Sequence, residues 1–194
     1  GVVCYTAGFS ELGYAGQQAE AELVDAAGEM ALLGPNCYGL INYHEQIALW
    51  PFAHGGTHPG FGAAIITQSG MLSSDLTMSQ RHLPLSYMVS VGNQASLRLE
   101  DFVDIFLEEP HVRAIGLHIE AIHDTEKFAK AAMRAIEKNI PLVALKTGVS
   151  EIGARLTASH TGSLSGTDTT YSAFFKRLGI CRVATPSEFV ELLK

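Results

Sequence analysis

AAIITQSG, residues 63–70, runs an unbroken apolar stretch into a Ser-Gly turn, and a helical pattern follows it. A strand without polar alternation is buried on both faces, as happens when helices cover a parallel sheet. The same succession recurs downstream. Leu85 to Val91 reads as a strand that ends at Gly92-Asn93, and Ala114 to Ile119, Pro141 to Leu145 and Ile180 to Ala184 read as further strands. Between them, Leu99, Phe102, Val103, Phe106 and Leu107 follow the i, i+3, i+4, i+7, i+8 spacing of an amphipathic helix. Phe128, Ala131, Ala132, Ala135 and Ile136 give a second helical stripe, and Tyr171, Phe174, Phe175 and Leu178 a third. Glu100, Asp101, Asp104 and Glu108 are expected on the solvated face of the first. Thr185-Pro186-Ser187-Glu188 reads as a capping box with proline at the first helical position.

This alternation predicts a doubly wound α/β fold, clearest from about Gly60 onward. Upstream, Gly1 to Thr6 is strand-like, Gln17 to Glu29 helical, and Met30 to Leu33 a short strand entering GPNCYG at 34–39. INYHEQIALWPFAHGGTHPGFG, residues 41–62, has no clean period and reads as a domain connection. The expected units are therefore 1–58 and 59–194. A chain that opens directly on a buried strand is expected to be a piece of a larger protein.

Apolar residues make up 47% of the 194 and charged residues 17%, which favours a packed core over disorder. A net charge of −7 leaves no basic face for nucleic acid or an anionic membrane. Cys4, Cys37 and Cys181 form no CxxC pair, so neither a disulfide framework nor a zinc site is indicated, and a reducing cytoplasm fits. His54 and His58 are four apart, but two intervening glycines and the lack of a Cys or acid ligand pattern argue against metal. His111, His118 and His123 read as surface or edge residues. No apolar run approaches the ~18 residues of a membrane span.

In doubly wound sheets ligands gather at the carboxyl ends of strands, and five such ends carry unusual residues. In GPNCYG, proline, asparagine and two glycines make a rigid turn that can approach a ligand. TQSG puts free N–H groups and the positive end of a helix dipole at Gln68, Ser69 and Gly70, a phosphate cradle unless Ser69 simply caps its helix. Gly92 and Asn93 suit a tight turn. Glu120, ending the run LHIEAI, is either exposed at the sheet edge or aimed into the crevice. In ASHTGSLSG, residues 158–166, one imidazole stands among three serines, a threonine and two glycines. His160 is a nucleophile near neutral pH if a carboxylate orients its other nitrogen, and Glu120 is the candidate for that role. The competing reading is a histidine in a polar loop. There is no GxxxxGK[ST] and no GxGxxG after a strand.

Taken together, GPNCYGLIN, TQSGML, VSVGN, HIE, LKTG and SHTGSLSG resemble, in order and spacing, the ADP-forming acyl-CoA synthetases related to the succinyl-CoA synthetase alpha subunit. The resemblance spans essentially the whole chain. It implies a partial Rossmann-type CoA-binding domain followed by a flavodoxin-like domain. It also implies interconversion of carboxylic acid, CoA and ATP with acyl-CoA, ADP and phosphate through a phosphohistidine. On that resemblance His160 carries the phosphoryl group and Glu120 orients it. Gln68, Ser69 and Gly70, with Ser159, Thr161 and Gly162, hold phosphate. Pro35, Asn36, Cys37, Gly92 and Asn93 line the CoA end. Nucleotide and Mg2+ are implied only through an ATP-grasp domain or subunit, the second partner beside CoA and a small carboxylic acid; a homo-oligomer is compatible with it. The chain departs from the family at Val149, where a basic residue is usual, and at His118 and Ala121, where Tyr and Gly are common. Two other readings stand beside this one: a non-catalytic CoA- or acyl-CoA-sensing module of a protein lysine acyltransferase, and a flavodoxin-like FMN or signalling domain.

Overall fold

The computed structural model describes residues 1–56, 60–149 and 167–194. At the amino end, strands β1 (Val2–Val3) and β2 (Leu32–Leu33) pair in parallel, and helix α1 (Tyr14–Ala27) lies between them in the chain. The main sheet is built from β3 (Gly39–Asn42), β4 (Ile47–Leu49), β5 (Gly62–Thr67), β6 (Leu85–Ser90), β7 (Val112–Ile119), β8 (Leu142–Lys146) and β9 (Cys181–Val183). Its order is β4-β3-β6-β5-β7-β8-β9. A 3-10 turn at Ser10–Leu12 and the helices α2 (Gly70–Met78), α3 (Leu99–Phe106), α4 (Thr125–Glu137), α5 (Asp168–Arg177) and α6 (Pro186–Leu192) complete the described elements.

The five strands from β5 onward pair in parallel. Counted among themselves they run 2-1-3-4-5, the flavodoxin-like order. Alternate residues of β5 serve opposite faces. Ala64 and Ile66 pack into the core that holds Phe102, Phe128 and Phe175, whereas Ala63 and Ile65 pack into the core that holds Leu76 and Phe189. Helices α3, α4 and α5 thus cover one face, and α2 and α6 the other. Phe128, Phe175 and Phe189 are fully buried, each contributing on the order of 1.5–3 kcal/mol relative to an exposed side chain. Thr185 accepts from the Glu188 N–H at 3.1 Å and Glu188 reaches back to the Thr185 N–H, the expected capping box with Pro186 at its start.

Four expectations change. The stretch read as a domain connection, 41–62, holds the end of β3 and all of β4, which pair as a hairpin, and β3 joins the main sheet antiparallel to β6. Its period was hidden because β4 is three residues long and exposed throughout. Glu100 is buried, with 1% of its surface accessible; its Oε1 accepts from the N–H groups of His123 and Asp124 at 3.0 and 2.9 Å. Ile136, placed in the core stripe of α4, is exposed. His118, read as an edge residue, is buried because β5 and β8 enclose β7 on both sides. Among the described residues, no helix is long and apolar enough to cross a membrane.

The antiparallel course of β3 matters for the site. Gly39, its first residue, stands opposite Ser90, the last residue of β6. The turn at 34–38 is thereby delivered to the carboxyl ends of the parallel strands.

Candidate functional site

Strand order reverses between β5 and β7, so the crevice of this sheet opens where these two strands end. Gln68 follows β5 and Glu120 follows β7. Gln68 is buried, and its side-chain amide is spent on the neighbouring main chain. Oε1 accepts from the N–H groups of Glu120 and Ala121 at 2.6 and 2.9 Å, and Nε2 donates to the Ala121 carbonyl at 2.6 Å. The Gln68 side chain is therefore engaged with protein, and what this residue offers phosphate within the turn 68–70 is backbone. From the other side Lys146, the buried last residue of β8, donates from Nζ to the Glu120 carbonyl at 2.9 Å and also to the Thr147 carbonyl. Its ammonium lies 4.6 Å from the centre of the Tyr171 ring.

One layer deeper, the His118 ring bridges the same three strand ends. Nδ1 is 3.1 Å from Thr67 Oγ1 and Nε2 is 3.2 Å from Thr147 Oγ1. Burial, and secondarily the Lys146 cation, lower its pKa from the ordinary 6.5 to about 4, so the imidazole is neutral and one nitrogen can donate while the other accepts. A histidine held neutral in the fold but free to charge when unfolded contributes stability above pH 6.5 that is lost as pH falls towards 4. The expected loss over that window is on the order of 3 kcal/mol. Urea unfolding at pH 7 and pH 4.5 measures it, and His118→Gln should flatten this part of the slope; an unchanged slope would refute the assignment.

Ser69 caps α2. Its Oγ accepts from the Leu72 N–H at 3.3 Å, and its own N–H donates to Thr67 Oγ1 at 3.0 Å. The capping reading of Ser69 therefore holds. It leaves the cradle reading open as well, since the first N–H groups of a helix have no acceptor within it. At Gly70 the backbone passes under an aromatic ring: a Cβ there would lie 2.8 Å from Tyr38 Cδ1 and Cε1. Tyr38 in turn meets Trp50 and Phe52 edge-on, with ring centres 5.9 and 4.8 Å apart, which builds an apolar wall beside the start of α2.

The turns at 34–37 and 91–94 interlock. Gly34-Pro35 is a cis peptide, and Asn36 and Gly92 both have positive φ, 55° and 57°. The Asn93 N–H donates to the Pro35 carbonyl at 2.9 Å, and Asn36 Nδ2 donates to Asn93 Oδ1 at 3.2 Å. Asn93 Nδ2 donates to Glu11 and Glu20 at 2.6 and 2.9 Å. The side chain of Asn93 is thus fully engaged in tying this turn to the amino-terminal segment. Cys37 points inward: it is buried, and its Sγ donates to the Cys4 carbonyl at 3.4 Å. Burial pushes its thiol pKa up to about 11. What Pro35, Asn36, Gly92 and Asn93 can offer a ligand is therefore mainly backbone, and Cys37 is a core residue.

His160, Ser159, Thr161, Gly162 and His58 lie outside the described residues. Among those described, the fold brings Gln68, Ser69 and Gly70 to Glu120 at one crevice, and Pro35 and Asn36 to Gly92 and Asn93 at the next turn along the sheet. Lys146, Thr147 and Tyr38 stand within the motifs LKTG and GPNCYG, but the sequence assigns them no individual role. Lys146 ends an apolar run just as Glu120 does, and that shared position was the available signal.

The chain matches the model of the "Succinyl-CoA ligase like flavodoxin domain" over residues 61–194, more than half its length. It is 36% identical over 200 residues to the alpha subunit of acetate–CoA ligase [ADP-forming] II of Pyrococcus furiosus, covering 100% of this chain and 42% of that one. It is 36% identical over 195 residues to the acetate–CoA ligase [ADP-forming] of Methanocaldococcus jannaschii, covering 100% of this chain and 27% of the other. Among solved structures it superposes, with a TM-score of 0.86 and 32% identity, on acetyl-coenzyme A synthetase 1 of Ca. Korarchaeum cryptofilum in complex with phosphate and ADP. That match covers 97% of this chain and 41% of the other. The chain spans less than half the length of these relatives.

Proposed function

The chain belongs to the succinyl-CoA-ligase-like flavodoxin family, and from that premise we propose that it is the histidine-bearing part of an ADP-forming acyl-CoA synthetase. The proposed reaction interconverts a small carboxylic acid, CoA and ATP with acyl-CoA, ADP and phosphate. In the direction of ATP synthesis, phosphate displaces CoA from the acyl-CoA to give an acyl phosphate. A ring nitrogen of His160 attacks phosphorus and the carboxylate leaves. ADP then takes the phosphoryl group from the histidine. Glu120 holds the imidazole in the tautomer that attacks and balances the imidazolium that forms. Ser69 and Gly70, at the positive end of α2, receive the phosphoryl oxygens, together with Ser159, Thr161 and Gly162. The interlocked turns at Pro35-Asn36 and Gly92-Asn93 form the wall on which CoA lies.

The observation that carries this reading is the convergence of the Glu120 strand end with the amino end of α2 at the point of order reversal, in a chain that retains SHTG intact. Nucleotide and Mg2+ belong to an ATP-grasp domain or subunit beyond these 194 residues; Mg2+ there would neutralise phosphate charge. The division into a CoA-binding unit, 1–58, and a flavodoxin-like unit, 59–194, is part of the proposal, although β3 and β4 lend their pairing to the second unit's sheet. Cytoplasmic residence is supported by three free cysteines.

Incubating the full-length protein with γ-labelled ATP and Mg2+ tests the reading. An acid-labile phosphoprotein is expected, and carboxylic acid plus CoA should discharge it. Binding of CoA without any label would instead favour a sensing module.

A further inference from the structure

We infer that Gln68 and Lys146 are positioning residues that fix the main chain of Glu120 from both flanking strands and so set the direction of its carboxylate. This rests on the reading of Glu120 as the partner of the phosphorylated histidine and goes one step behind it.

The geometry is two-sided. Strand β7 lies between β5 and β8. Beyond Ile119, its last paired residue, β7 has left the ladder, and the polar groups of residue 120 need other partners. Gln68, just past the end of β5, takes the N–H of Glu120 and both the N–H and the carbonyl of Ala121. Lys146, at the end of β8, takes the carbonyl of Glu120. Both side chains are more than nine-tenths buried, so these bonds are sheltered from water. The Thr67–His118–Thr147 bridge braces the layer beneath and joins the same three strands. Since Cα–Cβ direction follows from the backbone, holding the N–H and the carbonyl of residue 120 holds the start of its side chain.

The lysine also brings charge. Its described neighbours are Glu120 and Asp168 on the acidic side, Arg182 on the basic side, and the Tyr171 ring beneath it. Burial lowers the Lys146 pKa from its ordinary value, Asp168 and Glu120 oppose that, and Arg182 adds to it. Among the described residues no carboxylate bonds this ammonium; two carbonyls and the Tyr171 ring hold it, and the charges of Asp168 and Glu120 offset part of the cost of burying it.

The test uses Gln68→Met and Lys146→Met in the full-length protein, with the unsubstituted protein beside them. In the folded fraction of each variant the rate of histidine phosphorylation should fall roughly 10–100-fold, with the KM for CoA unchanged. The Glu120 and Ala121 amides, read by hydrogen exchange, should lose protection in Gln68→Met. A merely structural role would lower the melting temperature and the yield while leaving the rate per folded molecule alone. Rates within twofold of the unsubstituted protein, or amides equally protected, would overturn the inference. If the unsubstituted protein itself takes up no phosphate, the functional reading falls, and the amide exchange still decides the clamp.

Discussion

With His160 replaced by alanine, the full-length protein is expected to take up no acid-labile phosphate and to lose ligase turnover by ~10⁴-fold or more. A covalent relay divides one difficult transfer between two substrates into two in-line displacements at a nitrogen that is nucleophilic near pH 7. Alanine supplies no such atom. The hydroxyls on either side in the sequence, Ser159, Thr161 and Ser163, are poor nucleophiles without a base of their own. A loss of ~10⁴ corresponds to about 5.4 kcal/mol in the barrier. The chemistry of the product makes the experiment sharp, because phosphohistidine is acid-labile and a phosphoester on a neighbouring serine or threonine is not. Retention of acid-labile label in the alanine variant would move the nucleophile elsewhere.

Gly92→Ala is expected to destabilise the protein by ~3 kcal/mol or more, a fall of about 6–12 °C in Tm for a domain of this size. Two penalties add. At φ 57° an L residue is strained by roughly 1–2 kcal/mol. The new Cβ would also fall 2.2 Å from the Pro35 carbonyl oxygen and 2.4 Å from that of Asn36. Both are backbone atoms of the interlocked turn and cannot swing aside as a side-chain tip would. Gly28→Ala separates the two terms, for Gly28 has nearly the same φ, 55°, and nothing within 4 Å of the Cβ position. It should cost only the conformational part. Equal melting temperatures for the two variants would show that the close approach at Gly92 carries no weight.

The sequence made the parallel core legible because β5 and β7 have no polar alternation and because α3 and α4 keep a 3.6-residue stripe. It also marked residues that follow the ends of β5, β6 and β7, namely Ser69, Gly92 and Glu120, as the place to look for a site. It did not disclose what side chains do once strands lie side by side. Gln68 looked like one more donor in a phosphate turn, yet its side-chain amide bonds the main chain of residues 120 and 121, at the end of the neighbouring strand. Glu100 followed the solvent-facing spacing of α3, but lies at its first turn, where a carboxylate can accept from the loop after β7. The burial of His118 came from having a strand on either side, and no count of spacing within β7 contains that information. The hairpin β3–β4 was missed for a related reason: its partner, β6, is more than forty residues away in the chain.

That hairpin has a practical consequence. The family match begins at Phe61, and an expression product begun there would be natural to design. It would remove Gly39–Asn42 from the flank of β6 and bare the backbone groups of Tyr87–Ser90 that now pair with them. Ile41 and Tyr43 would leave the core they share with Met88 and Leu85. An uncovered strand of that length, apolar on one side, is a template for aggregation between molecules. Cutting the gene before Gly39 instead would keep the edge strand in place and give a product better suited to remain in solution.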